Sequence, residues 1–422
     1  MSEPGLEAGS PRSRRFGRRA LLRGGAAGTV LLGMTACLPG EGEESPTPSA
    51  TQTPTPLPTP DLTPTPTQEV IASPVPGYAD PDKWKGRTLT IAGLGADYQS
   101  AQAEAYFKPF SMATGATIQL KQADNSRLKS QVDNGEVSWD LTTLQAVDVL
   151  DLAHKGYLTP INYDIVDATA LFADAALQYG VGSDYYSTVL IFPAGTDNAP
   201  QGWPSLWDVP PLQPGEDVQP ADARSLQKSP IGTLEFALIA DGVEPTNDAL
   251  YPLDVERAFA SLERIRNYVL VWWEDGKQPV ELVVAQQAAM ASAWNVRIAQ
   301  LQQTGQARIQ WYGGMLSADC WAIPNGAPNA DVAMDFINFA TRAVPNANFS
   351  RLVPYGPVNT GAFNLLRSDR LDLLPSAPTN RAVQFTQNAN WWVDNRDALT
   401  DRFNGWLLTP PKTPATPTGT RS

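Results

Sequence analysis

The 422-residue chain holds one histidine, His154, and two cysteines, Cys37 and Cys320, set far apart in unlike surroundings. His154 lies in Asp151-Leu-Ala-His-Lys-Gly156, which reads as the exposed last turn of a helix ended by glycine, where a basic group suits the carbonyl end of the dipole. Histidine triads, two-histidine zinc sites and a structural disulfide therefore lack their parts. A Gly-x-Ser-x-Gly elbow and a Gly-rich phosphate loop are also missing. What remains is carboxylates, guanidinium groups and many rings. Ring faces cover methylenes and attract a cation, and a carboxylate grips an ammonium group through charge-assisted hydrogen bonds. Trp294, Asp319 and Tyr355 have suitable types, and each has a plainer reading: the rings as core, the aspartate as a turn cap. Arg297, three residues after Trp294, either binds a carboxylate bidentately or lies on a solvated helix face. No metal or cofactor is expected. Carboxylates alone also suffice for glycoside hydrolysis, so a secreted hydrolase stays open as the alternative.

The net charge of −13 understates the acidity of the main part, because six arginines and only two glutamates precede Cys37. The remainder carries 25 basic and 42 acidic residues, a balance of −17. Such a surface repels phosphate backbones, which argues against nucleic acid and is compatible with an amine ligand.

The elements that must position these residues begin after Trp84-Lys-Gly86. Leu89 and Ile91 alternate as a strand, Gly93 and Gly95 mark a tight loop, and a helix runs from Ser100 with Ala103, Phe107 and Phe110 on one face until Gly115. A strand at Ile118 and Leu120, a helix near Arg127 to Val132, a strand at 139–143 and a helix over 146–155 follow. Strands alternating with helices imply βαβ units and a parallel sheet. Beyond a Pro-rich loop at 204–220, Val255, Phe259, Leu262 and Val269 recur at helical spacing, as do Val332, Phe336 and Phe339 after a cap at Asp331. The segments 290–295 and 319–324 between these helices read as strands ending in turns.

With Trp139-Asp140-Leu, Gly156-Tyr-Leu, Trp294-Asn295, Asp319-Cys-Trp-Ala-Ile-Pro324, Asn329, Tyr355-Gly-Pro-Val-Asn359 and Trp391-Trp392-Val-Asp-Asn-Arg396 in order, the chain resembles extracellular solute-binding proteins of ABC transporters, of the spermidine/putrescine type. The resemblance implies an α/β, two-lobe type II periplasmic-binding-protein fold with strands crossing at a hinge and closing on the ligand. It implies lobe 1 from 87–190 plus 320–358 and lobe 2 from 191–319 plus 359–408. Matched positions make Gly95, Tyr98, Gln145, Ser229, Trp294, Asn295, Asp319, Tyr355 and Trp392 the expected ligand-binding set, with Asp319 gripping an amine and Trp294 and Tyr355 covering carbon. The match departs from the family pattern at several places. The second lobe's carboxylate pair falls on Gln227 to Gly232, which has no acid; a ring becomes Leu94; and a glutamine becomes Trp392. A long polyamine then leaves one ammonium poorly paired. A shorter amine, a zwitterion such as an amino acid derivative, or another polar solute such as a sugar fits as well.

Residues 1–36 have the three parts of a signal peptide, and Arg18-Arg19-Ala-Leu-Leu22 resembles a twin-arginine motif. Met34-Thr35-Ala36-Cys37 resembles a lipobox, making Cys37 the expected site of lipid attachment on the outer face of the membrane. Residues 37–78, dominated by Thr-Pro and Ser-Pro, are expected to be a disordered tether, and 409–422 a disordered tail. The expected partners are a small amine or zwitterion and ABC permease subunits, with the binding protein itself monomeric.

Overall fold

The computed structural model describes residues 70–72, 74–213 and 215–410. The expected export segment, the lipid site Cys37, nearly all of the tether and the tail beyond 410 lie outside the described residues. Among the described residues no helix is long and apolar enough to cross a membrane.

Among the described residues ten strands share one sheet: β1 Thr88–Gly93, β2 Thr117–Gln122, β3 Leu141–Gln145, β4 Ala176–Leu177, β5 Gly180–Pro193, β6 Arg224–Gln227, β7 Val269–Trp273, β8 Met290–Trp294, β9 Ala307–Ala322 and β10 Phe385–Thr386. The order is β2-β1-β3-β9-β5-β8-β6-β7, with β4 paired to β5 and β10 to β9. At either end the pairs β1/β2, β1/β3, β6/β7 and β6/β8 are parallel, as helices between successive strands require. In the middle β5 and β9 run antiparallel over almost their whole length. Their first stretch, 181–187 against 321–316, lies beside β3, and from Thr188 onward β5 also pairs with β8. These two strands, of 14 and 16 residues, connect two halves, and the chain crosses once more through β10 beside β9.

Each half buries helices against both faces of its part of the sheet. In the first, Tyr106, Phe107, Phe110, Trp321, Phe336 and Phe349 fill one face, and Trp139, Leu144, Leu152 and Tyr185 the other. In the second, Trp203, Phe236, Leu262, Trp392 and Phe403 form the larger core, with Val189, Val283, Ala293 and Ile298 opposite. The chain from 359 to 381 hydrogen-bonds back to the first half: Thr360 N donates to Ala170 O at 2.8 Å, Arg370 Nε to Ser350 O at 2.6 Å, and Arg381 Nη2 meets Asp174 Oδ2 at 2.6 Å.

Two local expectations are corrected. The helix Val255–Ile265 stops before Val269, which opens β7, because a short 3-10 turn at Arg266–Tyr268 intervenes. Asn329 rather than Asp331 precedes the helix Ala330–Ala340, and Asp331 sits in its first turn. His154 is the exposed last residue of the helix Ala146–His154, with Gly156 at φ +79°. Cys320 is free and completely buried.

Candidate ligand-binding cleft

Three strands bring chemistry to one level of the sheet. Asp319 of β9 is the register partner of both Gln145 on β3 and Asp184 on β5, and Tyr186 and Ser317 face each other two residues along. Cross-strand partners project to the same face with Cβ atoms about 5 Å apart. The strand pattern thus sets two carboxylates side by side in the middle of the molecule. Asp319 is 5 % exposed and Asp184 not at all. Neither makes a salt bridge among the described residues. Asp184 Oδ2 accepts from Tyr98 Oη at 2.7 Å and lies 2.7 Å from Ser183 Oγ, while its Oδ1 has no hydrogen-bond partner. Burial raises the Asp184 carboxyl to about 7 against the lowering effect of those two hydroxyls. Burial, then the neighbouring Asp184 and then Asp148, hold Asp319 well above the usual carboxylate range.

Asp319 opens into a cavity of about 460 Å³. Its wall takes Gln145 and Asp148 from the start of the helix Ala146–His154, Tyr186 from β5, and Tyr355. Trp294 ends β8, and Arg297 lies one turn into the helix Asn295–Gln303. Gln145 Nε2 donates to Tyr186 Oη at 3.1 Å. Trp294 stands edge-on to Trp273, ring centroids 5.2 Å apart, and packs over Gly276, where a Cβ would come within 2.7 Å of the indole. Asp148 is already neutralised by Arg396 at 2.6 Å. Arg297 is exposed and has no carboxylate partner among the described residues. The helix it belongs to has no side-chain cap, so its first-turn amides add positive potential beside the guanidinium.

A neighbouring cavity of about 570 Å³ shares Leu94, Val296, Arg297 and Tyr355 with the first and is lined also by Gly95 and Tyr98. A larger depression of about 740 Å³ lies elsewhere, between Pro193–Pro200 and Gln286–Met290. It offers one carboxylate, Asp208, and no ring, and so lacks the convergent groups a polar solute needs.

Of the residues expected from sequence, Gln145, Trp294, Asp319 and Tyr355 line one cavity and Gly95, Tyr98 and Tyr355 the other. Three lie apart. Asn295 is wholly buried and used up by the backbone: its Oδ1 accepts from Ser187 N at 2.8 Å and its Nδ2 donates to Pro354 O at 3.0 Å. Ser229 caps the helix Pro230–Ala240, accepting from Ile231 N at 3.2 Å. Trp392 is a core residue whose indole donates to Glu235 Oε1 at 2.7 Å, because the helix Ala389–Leu408 buries it inside the second half. The sequence reading missed Asp184 and Tyr186. The signal was there in Gly182-Ser-Asp-Tyr-Tyr186, an acid inside an apolar run, once that run is taken as a strand with Asp184 and Tyr186 on one face.

Two α/β halves joined by a pair of long crossing strands, with a polar cavity at the crossing, define a two-lobe periplasmic-binding fold. The sequence pattern of the bacterial extracellular solute-binding proteins matches residues 105–379, and the chain belongs to that family. It is 33% identical over 332 residues to the gamma-aminobutyric acid-binding protein of Pseudomonas aeruginosa, covering 76% of this chain and 91% of that protein. Among solved structures, an ABC transporter substrate-binding protein from Bradyrhizobium japonicum is 31% identical, with a TM-score of 0.69 over 77% of this chain and all of the other. The Atu4243-GABA receptor is 30% identical, also at 0.69, over 78% of this chain and all of that one. The protein is therefore a substrate-binding protein of an ABC transporter and not an enzyme.

Proposed function

We propose that the captured solute is gamma-aminobutyric acid or a similarly short ω-amino acid, its ammonium group at Asp319, its carboxylate at Arg297 and its methylenes between Trp294, Tyr186 and Tyr355. The observation that carries this reading is an uncompensated pair of opposite ends in one cavity: a buried carboxylate without a cation, and a guanidinium without an anion. Rings along the wall suit aliphatic carbon and contribute cation–π attraction of about 0.5–2 kcal/mol. The named ligands of two relatives point the same way. A polyamine fits less well, because it brings a second cation to the Arg297 end. Lys228, in the stretch 227–232, is itself a cation held by Glu274 at 3.2 Å.

Calorimetric titration of the purified protein with gamma-aminobutyric acid, putrescine and spermidine tests the reading. Gamma-aminobutyric acid should bind tightest, and spermidine binding more tightly would overturn it. Around this site, the reading takes 87–190 with 320–358 as one lobe and 191–319 with 359–408 as the other; the hydrogen bonds of Thr360, Arg370 and Arg381 favour moving 359–381 to the first. A monomer held at the membrane surface by a lipid on Cys37, after export through the arginine-rich leader, completes the proposal.

A further inference from the structure

Asp184 lines none of the three cavities described above, yet it stands in register beside the carboxylate that faces one. We propose that Asp184 is a positioning residue that keeps a proton on the Asp184–Asp319 pair while the site is empty, so that capture of an ammonium ligand expels that proton to solvent. This rests on the assignment of the ammonium group to Asp319.

Two carboxylates in register, buried to 0 % and 5 % exposure and without a salt bridge, cannot both be ionised at low cost. The surroundings supply no cation to relieve them. On β5 Ser183 precedes Asp184 and Tyr186 lies two residues beyond it; the helix Ala96–Gln102 brings Tyr98, the π-helical segment Ala103–Phe107 brings Tyr106, and the segment before Gly356 brings Tyr355. Cys320 follows Asp319 on β9, under the influence of both carboxylates and of Asp174. Asp148, on the helix Ala146–His154, adds further negative charge, and its partner Arg396 is committed to it. Two arginines line the neighbouring cavity: Arg297 is felt at Tyr355 from the exposed rim, and Arg370 donates to Ser350 O at 2.6 Å.

Asp184 is itself held in place: Oδ2 is fixed by Tyr98 and Ser183, and Ser183 Oγ also lies 3.1 Å from the Asp319 carbonyl. Asp184 Oδ1, with no partner, is free to take or share the proton. The exchange balances. A singly protonated pair of charge −1 meets a cationic group of charge +1; the pair becomes −2, the ammonium compensates one of those charges, and one proton leaves to the buffer. The coupling is quantitative, since a group whose protonation differs between free and bound states shifts affinity with pH in proportion to the protons exchanged.

Calorimetry of the wild-type protein with gamma-aminobutyric acid, in buffers of different ionisation heat at pH 6.5, should report close to one proton released per ligand. Affinity should rise about tenfold per pH unit at acid pH and level off above neutrality. Asp184→Asn should bind with little proton release and a flat pH profile. Tyr98→Phe, which removes a donor from the ionised form, should move the midpoint of the profile upward, a shift that a merely structural role does not give and a check that remains if Asp184→Asn does not fold. Independently of any ligand, infrared difference spectra of the empty protein around neutral pH should show a protonated-carboxyl band that Asp184→Asn lacks. Binding without proton release, or an empty protein without that band, overturns the inference. The band appearing while gamma-aminobutyric acid fails to bind leaves the inference standing and overturns the ligand assignment instead.

Discussion

Replacing Trp392 by Phe separates a core residue from a cleft residue. In the structure the Trp392 indole is wholly buried and donates to Glu235 Oε1 at 2.7 Å, while Glu235 also accepts from Tyr251 Oη at 2.6 Å and Gly232 N at 2.9 Å. Phenylalanine keeps most of the packing and removes one of three donors from a buried carboxylate. A hydrogen bond to a charged group contributes about 1.5–3 kcal/mol. The smaller ring leaves a void of a few tens of Å³, on the order of another 0.5–1 kcal/mol. For a folded region of this size roughly 3 kcal/mol corresponds to a fall in Tm of about 4 °C. The loss should depend on pH in a definite sense. Burial raises the Glu235 carboxyl above its ordinary value, so its contribution to stability is present below the unfolded pKa and fades as pH rises through the folded one. Removing a donor that favours the ionised form raises the folded pKa further, which makes the variant's deficit larger at pH 7.5 than at pH 4. Thermal melts of the ligand-free protein at both pH values measure this, and calorimetry should give an affinity within about twofold of wild type. A variant that melts like wild type but binds tenfold more weakly would refute the assignment of Trp392 to the core.

Arg297→Gln should weaken gamma-aminobutyric acid at least tenfold while sparing butylamine, which lacks the carboxylate; calorimetry showing equal losses for both would remove Arg297 from the site. Asn295→Ala should lower Tm by several degrees, because it strands Ser187 N–H and the Pro354 carbonyl in the interior at about 1–3 kcal/mol each, and an unchanged melt would count against that anchor. The raised Asp184 carboxyl stabilises the ligand-free fold below the unfolded pKa near 4, and that contribution is lost as pH rises through about 7. Asp184→Asn should flatten the corresponding fall in unfolding free energy, by on the order of a few kcal/mol across that window, as denaturant titrations at several pH values would show. Cys37→Ser should release the protein from membranes into the medium, as fractionation and blotting would show.

Several outer elements were legible from the alternation of residue types: Leu89 and Ile91 alternate with threonines in β1, though Thr88 alone is exposed there, and Phe259 and Leu262 in the helix after Val255 mark its buried face against polar neighbours. β5 was not legible. All but two of its 14 residues are buried, so no alternation of polar and apolar marks its two faces, and an unbroken run such as Val189 to Phe192 does not declare its structure. The site followed the same division. Asp319, Trp294 and Tyr355 stand in motifs whose order along the chain is informative, whereas Asp184 becomes meaningful only through its register with Asp319, a pairing across more than a hundred residues. Asn295 and Trp392 were placed in the cleft for the opposite reason. Their neighbours line it or its surroundings, but a side chain with every polar atom satisfied by backbone or by Glu235 has nothing left to offer a ligand.

Placing the carboxylate pair on β5 and β9 has a mechanical consequence. These two strands belong to both halves, so charge buried between them sits where the halves join. Asp319 reaches the cavity from the crossing itself, whereas Arg297 reaches it from a helix that follows β8 in the second half. A ligand carrying only an ammonium group satisfies the crossing strands and leaves Arg297 unengaged. A ligand carrying both groups neutralises the crossing and at the same time tethers the second half to it. The difference in free energy between open and closed arrangements is set by contacts made in one and not the other. Under the proposed ligand assignment the carboxylate contact at Arg297, rather than the ammonium contact at Asp319, is the one that distinguishes them, which concentrates affinity at the buried pair and selection for closure at the exposed guanidinium.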